Sequence, residues 1–175
     1  LPMSLVALLG SARSDGHAAE LLDLILAGRP AERFDLAQLD IREYVYDAPP
    51  EGDDFLRVAE AMTRADDILM VTPVYWYAMS SRLKRFFDRM TDLVTVRKPI
   101  GRALAGRTLW MAACGSNPEF TEGFEAPFRL TADYLDMTYG GAFYASTETG
   151  GFTPPTRTAA AQFGAQLFSE HQRSS

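Results

Sequence analysis

The sequence predicts an α/β fold: a three-layer sandwich around a five-stranded parallel sheet in the order 2-1-3-4-5. Three observations predict it. Short, nearly continuous apolar runs recur along the chain, as strands covered on both faces require. Stretches with apolar residues at helical spacing separate those runs. Strand and helix alternate five times, the pattern of a parallel sheet with helices on both sides. The 175 residues suit one domain, 1–175, rather than two. A chain of this size buries roughly 70% of the surface that its unfolded form exposes, which is enough for a real core.

Ser4–Leu9 (SLVALL) is the first apolar run, ended by Gly10. His17 to Leu26 follows as a helix, with Leu21, Leu22, Ile25 and Leu26 on one face and Gly28-Arg29-Pro30 as its stop. Phe34–Leu39 (FDLAQL) alternates and reads as a strand near an edge. Residues 40–52 are loop-like, with Pro49-Pro50. Asp53-Asp54 then open a helix through Phe55, Val58, Ala61 and Met62, acidic residues complementing the helix dipole. Ile68–Val71 is the next buried run. Leu83, Phe86, Phe87, Met90 and Leu93 form a helical stripe, and residues 96–106 a loop. Thr108–Ala113 (TLWMAA) is another strand. Ala126–Leu135 is a helix with Pro127 in its first turn. Thr138–Ala145 is the last strand, weakened or bulged at Gly140-Gly141, and Thr158–His171 is the terminal helix. Five units in this length suggest a flavodoxin-like sheet.

Composition excludes several function classes. The net charge of -6 and pI of about 4.9 argue against a nucleic-acid partner or a polybasic membrane face. Cys114 is the one cysteine, so there is no internal disulfide and no thiolate metal or iron–sulfur site. His17 and His171 do not make a metal cluster, and no metal is expected. No apolar run approaches the ~20 residues of a membrane span. We expect a cytoplasmic protein, with Leu1-Pro2 a cloning remnant.

In doubly wound sheets, ligands sit beyond the carboxyl ends of the strands where the strand order reverses. That rule selects three loops: Gly10–His17, Thr72–Ser80 and Cys114–Phe124. The first, within "GSARSDGHAAELL", leads from a strand into a helix N-terminus, a natural anion site. Ser11 and Ser14 bring hydroxyls, Arg13 a charge and His17 a ring N–H. An ordinary turn capped by Ser14 or Asp15 explains the same residues equally well. The loop is neither GxGxxG nor a Walker A loop. The second loop, "TPVYWYAMSS", leaves the sheet at Pro73 and crowds Tyr75, Trp76 and Tyr77 into a short turn. Those rings suit either a flat aromatic ligand or a plug at a subunit contact; their place at the switch point favours the ligand. The third, "CGSNPEFTEGF", puts small residues, Gly115 and Ser116, after a buried strand. Cys114 is read there as a small strand-end residue rather than a nucleophile, since no Cys–His pairing is evident. A phosphate end and a flat-ring end in one sheet match FMN.

The chain resembles the NAD(P)H-dependent FMN reductase family of flavodoxin-like proteins over nearly its whole length. "GSARSDGHAAELL" resembles the family's phosphate loop, G-S-x-R-x-x-G/S-x-T-x-x-L. "TPVYWYAMSSRLKRFFDRM" resembles its more specific T-P-x-Y segment, and "FEAPFRLTADYLDMTYGGAFY" its later helix and strand. The resemblance implies that Ser11, Arg13, His17 and the amide of Ala18 surround the FMN phosphate. It implies that Pro73, Val74, Tyr75, Trp76 and Tyr77 line the flavin ring, with Cys114, Gly115 and Ser116 at its other edge. It further implies hydride transfer from NADH or NADPH to FMN, a small electron acceptor such as a quinone or flavin, and a homodimer or higher homo-oligomer. The flavin carries the chemistry, so no catalytic side chain is nominated. Ala18 departs from the family's usual threonine and loses a hydroxyl. A flavodoxin-type electron carrier and a relative without FMN are the competing readings.

Overall fold

A computed structural model describes residues 4–169. Five parallel strands form one sheet: β1 (Leu5–Leu9), β2 (Glu32–Asp35), β3 (Asp67–Pro73), β4 (Thr108–Gly115) and β5 (Thr138–Ser146). Their order is β2-β1-β3-β4-β5, as the sequence predicts. Alternate residues of each central strand face opposite sides. Val6, Leu8, Ile68, Met70, Leu109 and Met111 pack into one core layer with α2 (Phe55–Arg64), α3 (Ser81–Arg89), α4 (Thr91–Thr95) and α6 (Ala126–Tyr134). Leu5, Ala7, Leu9, Leu69, Val71, Trp110 and Ala112 pack on the other side with α1 (His17–Leu26) and α7 (Pro154–Ser169). The helices α1 and α7 touch closely at Gly164, where a Cβ would sit 1.7 Å from the Ile25 carbonyl oxygen.

The bulge expected near Gly140-Gly141 is present. Pairing slips between Leu109 and Trp110, so Trp110 faces Gly141 and Gly140 is the extra residue. The buried Trp110 ring lies where a Cβ on Gly140 would fall, 2.4 Å away, and its Nε1 donates to Asp67 Oδ1 at 2.7 Å.

Four expectations need correction. The second strand is Glu32–Asp35, not Phe34–Leu39. Asp35 ends it by turning the chain: its Oδ1 accepts from the Ala37 amide and its carbonyl from the Gln38 amide. Residues 96–106 are not all loop, because Pro99 starts a short helix, α5 (Lys98–Arg102). The stripe from Leu83 to Leu93 spans two helices that meet at Met90. The terminal helix begins at Pro154, not Thr158, with its Thr156 amide donating to Thr153 Oγ1. The far end expected at His171 lies outside the described residues. Among the described residues no helix is long and apolar enough to cross a membrane.

Candidate functional site

The register brings three strand ends together. Leu9 pairs with Val71, and Pro73 with Cys114. The loops that leave β1, β3 and β4 therefore open on one side of the sheet. Between them lies a cavity of about 670 Å³, the size of a cofactor pocket. Nine of the twelve predicted residues line it: Ser11, Arg13, His17, Ala18, Pro73, Val74, Tyr75, Cys114 and Gly115. The other three, Trp76, Tyr77 and Ser116, line a smaller hollow of about 190 Å³ that shares Val74 with it.

At one end the chain turns into α1. Gly16 is the N-cap, and no side chain caps the helix, so Ser14 and Asp15 do not serve as the cap. The amides of the first turn have no partner within the helix. Ser11 is buried, and its Oγ accepts from the Arg13 amide at 3.3 Å. Arg13 is exposed and donates to Asp15 Oδ1 at 2.9 Å, a bond that holds the Asp15 carboxyl below the usual carboxylate range. The Ala18 methyl is buried against the sheet, so this position has only its backbone to give a ligand. His17 packs on Phe152 with ring centroids 5.4 Å apart, and its Nδ1 lies 3.4 Å from Glu20 Oε2.

The opposite wall is a two-residue hairpin. The Tyr75 amide donates to the Ala78 carbonyl and the Ala78 amide to the Tyr75 carbonyl. The central residues, Trp76 and Tyr77, have φ of 49° and 65°, the left-handed region that such tight hairpins demand and that bulky residues avoid. This turn pushes Trp76 out to 93% exposure, while Tyr75 stays half-exposed along the cavity. The hairpin rests on a buried polar clamp. Thr72 Oγ1 accepts from the Ser80 amide at 3.0 Å and donates to the Pro73 carbonyl at 2.8 Å. Ser80 Oγ donates to the Gly10 carbonyl and accepts from the Leu83 amide, capping α3. One hydroxyl thus joins the first loop, the second loop and the helix behind them.

The third side is the end of β4. Cys114 is buried, and burial, aided by the charge of Glu20, pushes its thiol up to about 12. It is neutral and not a nucleophile at ordinary pH. Gly115 is small for a packing reason as well: a Cβ there would come within 3.0 Å of Val74 and 3.2 Å of the Tyr144 hydroxyl. That hydroxyl donates to the Asn117 carbonyl at 2.7 Å, and the Tyr144 ring stacks on Phe120. These contacts fasten the loop after β4.

Sequence reasoning missed Thr72, Ser80, Tyr144, and the cavity residues Asp15, Gly16, Glu20 and Thr147 as parts of the site. A serine just before a helical stripe is a readable cap signal for Ser80. Nothing local marks Tyr144, Glu20 or Thr147.

The fold and the cavity define a doubly wound sheet with a pocket at its switch point, polar beside the start of α1 and bordered by Tyr75 on the hairpin side, the place where such sheets take their ligands. The chain belongs to the NADPH-dependent FMN reductase family, whose model matches residues 3–151. A Bacillus subtilis protein named as an NAD(P)H-dependent FMN-containing oxidoreductase, YwqN, is 29% identical over 103 residues. That match covers 55% of this chain and 56% of the relative's length, so it spans little more than half of either. Among solved structures, a Trp repressor binding protein from Bacillus subtilis superposes with a TM-score of 0.72 at 20% identity, covering 91% of this chain and 97% of that one. A flavodoxin, WrbA-like protein from Agrobacterium tumefaciens superposes at 0.69 with 14% identity over 97% and 98%. An NADPH-quinone reductase from P. pentosaceus does so at 0.67 with 15% identity over 94% and 97%. At these identities the likeness establishes the fold.

The residues present fit the cofactor of that family. The helix start is uncapped, the only thiol is neutral, and both carboxylates in the wall, Asp15 and Glu20, have cationic partners.

Proposed function

We propose that the protein is an FMN-dependent NAD(P)H oxidoreductase that passes electrons from a nicotinamide to a small acceptor such as a quinone or a flavin. The observation that supports this reading is the cavity that unites the three strand-end loops, polar at the α1 end and bordered by Pro73, Val74 and Tyr75 at the hairpin end, with Trp76 and Tyr77 in the adjoining hollow. When bound, FMN supplies the redox chemistry, taking a hydride from the nicotinamide and releasing electrons to the acceptor. The chain's own residues bind and orient it. Ser11, Arg13, His17 and the amide of Ala18 hold the phosphate. Pro73, Val74 and Tyr75 lie along the ring, with Trp76 and Tyr77 at its outer margin. Cys114, Gly115 and Ser116 border its other edge. The high thiol pKa keeps a negative charge away from the ring. We read residues 1–175 as one FMN-binding domain, acting in the cytoplasm and without nucleic-acid partners. Exposed Trp76, Tyr77, Leu130 and Tyr134 support a homodimer or higher homo-oligomer, which light scattering tests.

The test of function is direct. The purified protein is expected to show a flavin spectrum, or to quench FMN fluorescence with saturation at low micromolar ligand. It is then expected to oxidise NADH or NADPH in the presence of quinones. A protein that leaves FMN unquenched overturns the reading; one that binds FMN but oxidises neither nicotinamide favours an electron carrier.

A further inference from the structure

A carboxylate stands at the α1 end of the cavity, where a phosphate ligand would meet repulsion. Glu20 lines the cavity beside His17, Gly16 and Arg13. Its partner comes from the far end of the chain: Arg157 on α7 donates from Nη2 to Glu20 Oε1 at 2.7 Å, across 137 residues. The other carboxylate oxygen faces His17 Nδ1. Arg157 itself does not line the cavity, so it stands behind Glu20 rather than in front of it. Phe152, between β5 and α7, packs on the His17 ring. Both Phe152 and Arg157 follow residue 151, where the family match ends.

We propose that Arg157 is a positioning residue for phosphate recognition, acting through Glu20. It cancels the carboxylate's charge at the mouth of the phosphate end. It also ties Glu20 to α7, which steadies His17 through its contacts with Glu20 and Phe152. The other wall carboxylate, Asp15, is already neutralised by Arg13. With Arg157 in place, the charges of Arg13, Asp15, Glu20 and Arg157 balance, and the uncapped amides of α1 meet the phosphate without an opposing charge. Without it, Glu20 carries an uncompensated charge into the site. This makes the terminal helix a determinant of FMN over unphosphorylated flavin, in a site whose Ala18 has no hydroxyl to give. The proposal rests on the reading of the cavity as an FMN site.

FMN and riboflavin share the ring and differ in the phosphate, so titrating both by fluorescence separates the two ends of the cavity. Wild type, R157Q, R157K, E20Q and the E20Q/R157Q double variant form the set. Arg157 is exposed, so its substitution leaves the core intact. R157Q is expected to weaken FMN about tenfold while leaving riboflavin unchanged, and R157K to retain most of the FMN affinity. Adding E20Q to R157Q is expected to restore FMN binding to within roughly twofold of E20Q alone. An equal loss for both flavins in R157Q, or no loss of FMN, overturns the proposal. A double variant as weak as R157Q overturns the route through Glu20. Wild type that binds riboflavin as tightly as FMN overturns the phosphate role alone; wild type that binds neither overturns the FMN site itself.

Discussion

Two arginine clusters use the same chemistry for opposite ends. Arg89 is 1% exposed, and Arg157's side chain is 44% exposed. Arg89 donates through Nε to Asp92 at 2.9 Å, through Nη1 to Asp53 and the Arg42 carbonyl, and through Nη2 to the Pro50 carbonyl. Its guanidinium lies 4.6 Å from the centre of the Phe55 ring. The cluster fastens residues 42–53 to α3, and every donating nitrogen is used because a buried charge tolerates no vacancy. Arg157 makes one bond to one carboxylate at the surface, worth little to stability. That weakness fits the role proposed for Arg157, in which a charge is balanced without being locked in. Burial decides which role an ion pair takes.

The comparison breaks first at Arg89. Arg89→Met leaves Asp53 and Asp92 buried without a cation and is expected to destabilise the fold by ~3–5 kcal/mol in urea unfolding. Arg157→Gln is expected to leave the urea midpoint almost unmoved; a comparable loss in both variants would erase the contrast.

A smaller effect comes from acid. Burial pushes the Asp53 carboxyl up, but the Arg89 guanidinium and the amides of Arg42 and Phe55 outweigh it and hold it below its ordinary value. Its stabilising contribution is present above the unfolded carboxyl pKa of about 3.9 and is lost as pH falls through the lower folded value. Urea midpoints taken downward from about pH 5 are expected to fall more steeply in wild type than in Asp53→Asn. Parallel curves would count against the buried cluster as the acid-sensitive element.

The smallest effect has the opposite sign. Replacing Trp76 with Asn and Tyr77 with Gly relieves two left-handed aromatic residues and is expected to stabilise the protein by about 1 kcal/mol. Thermal melting reads this gain. With the hairpin bordering the flavin ring as proposed, FMN and riboflavin are expected to lose affinity to the same extent. A melting temperature that falls would show that the two rings are held by contacts stronger than the turn's strain.

Much of the site was legible because its signals are local. Gly10, Pro73 and Gly115 end or interrupt apolar runs, and each mark fell where a strand meets the cavity. Nine of the predicted residues meet in one cavity for that reason. The hairpin was not legible: three consecutive aromatics carry none of the Asn-Gly chemistry that announces such a turn, and the two buried hydroxyls of Thr72 and Ser80 hold it from outside. Leu36–Leu39 misled in the other direction, since its alternation continues past the point where Asp35 turns the chain.

Alternation of apolar runs and helical stripes was enough to specify the parallel sheet, because that follows from periodicity and chain connection; the number of units then suggested the strand order and the edge where the loops gather. The pairing of Glu20 with Arg157, the bond from Tyr144 to Asn117 and the enclosure of Arg89 were decided by tertiary structure alone. Each joins residues distant in sequence, and no local pattern states the angle at which α7 packs on α1 or the depth at which a charge is buried.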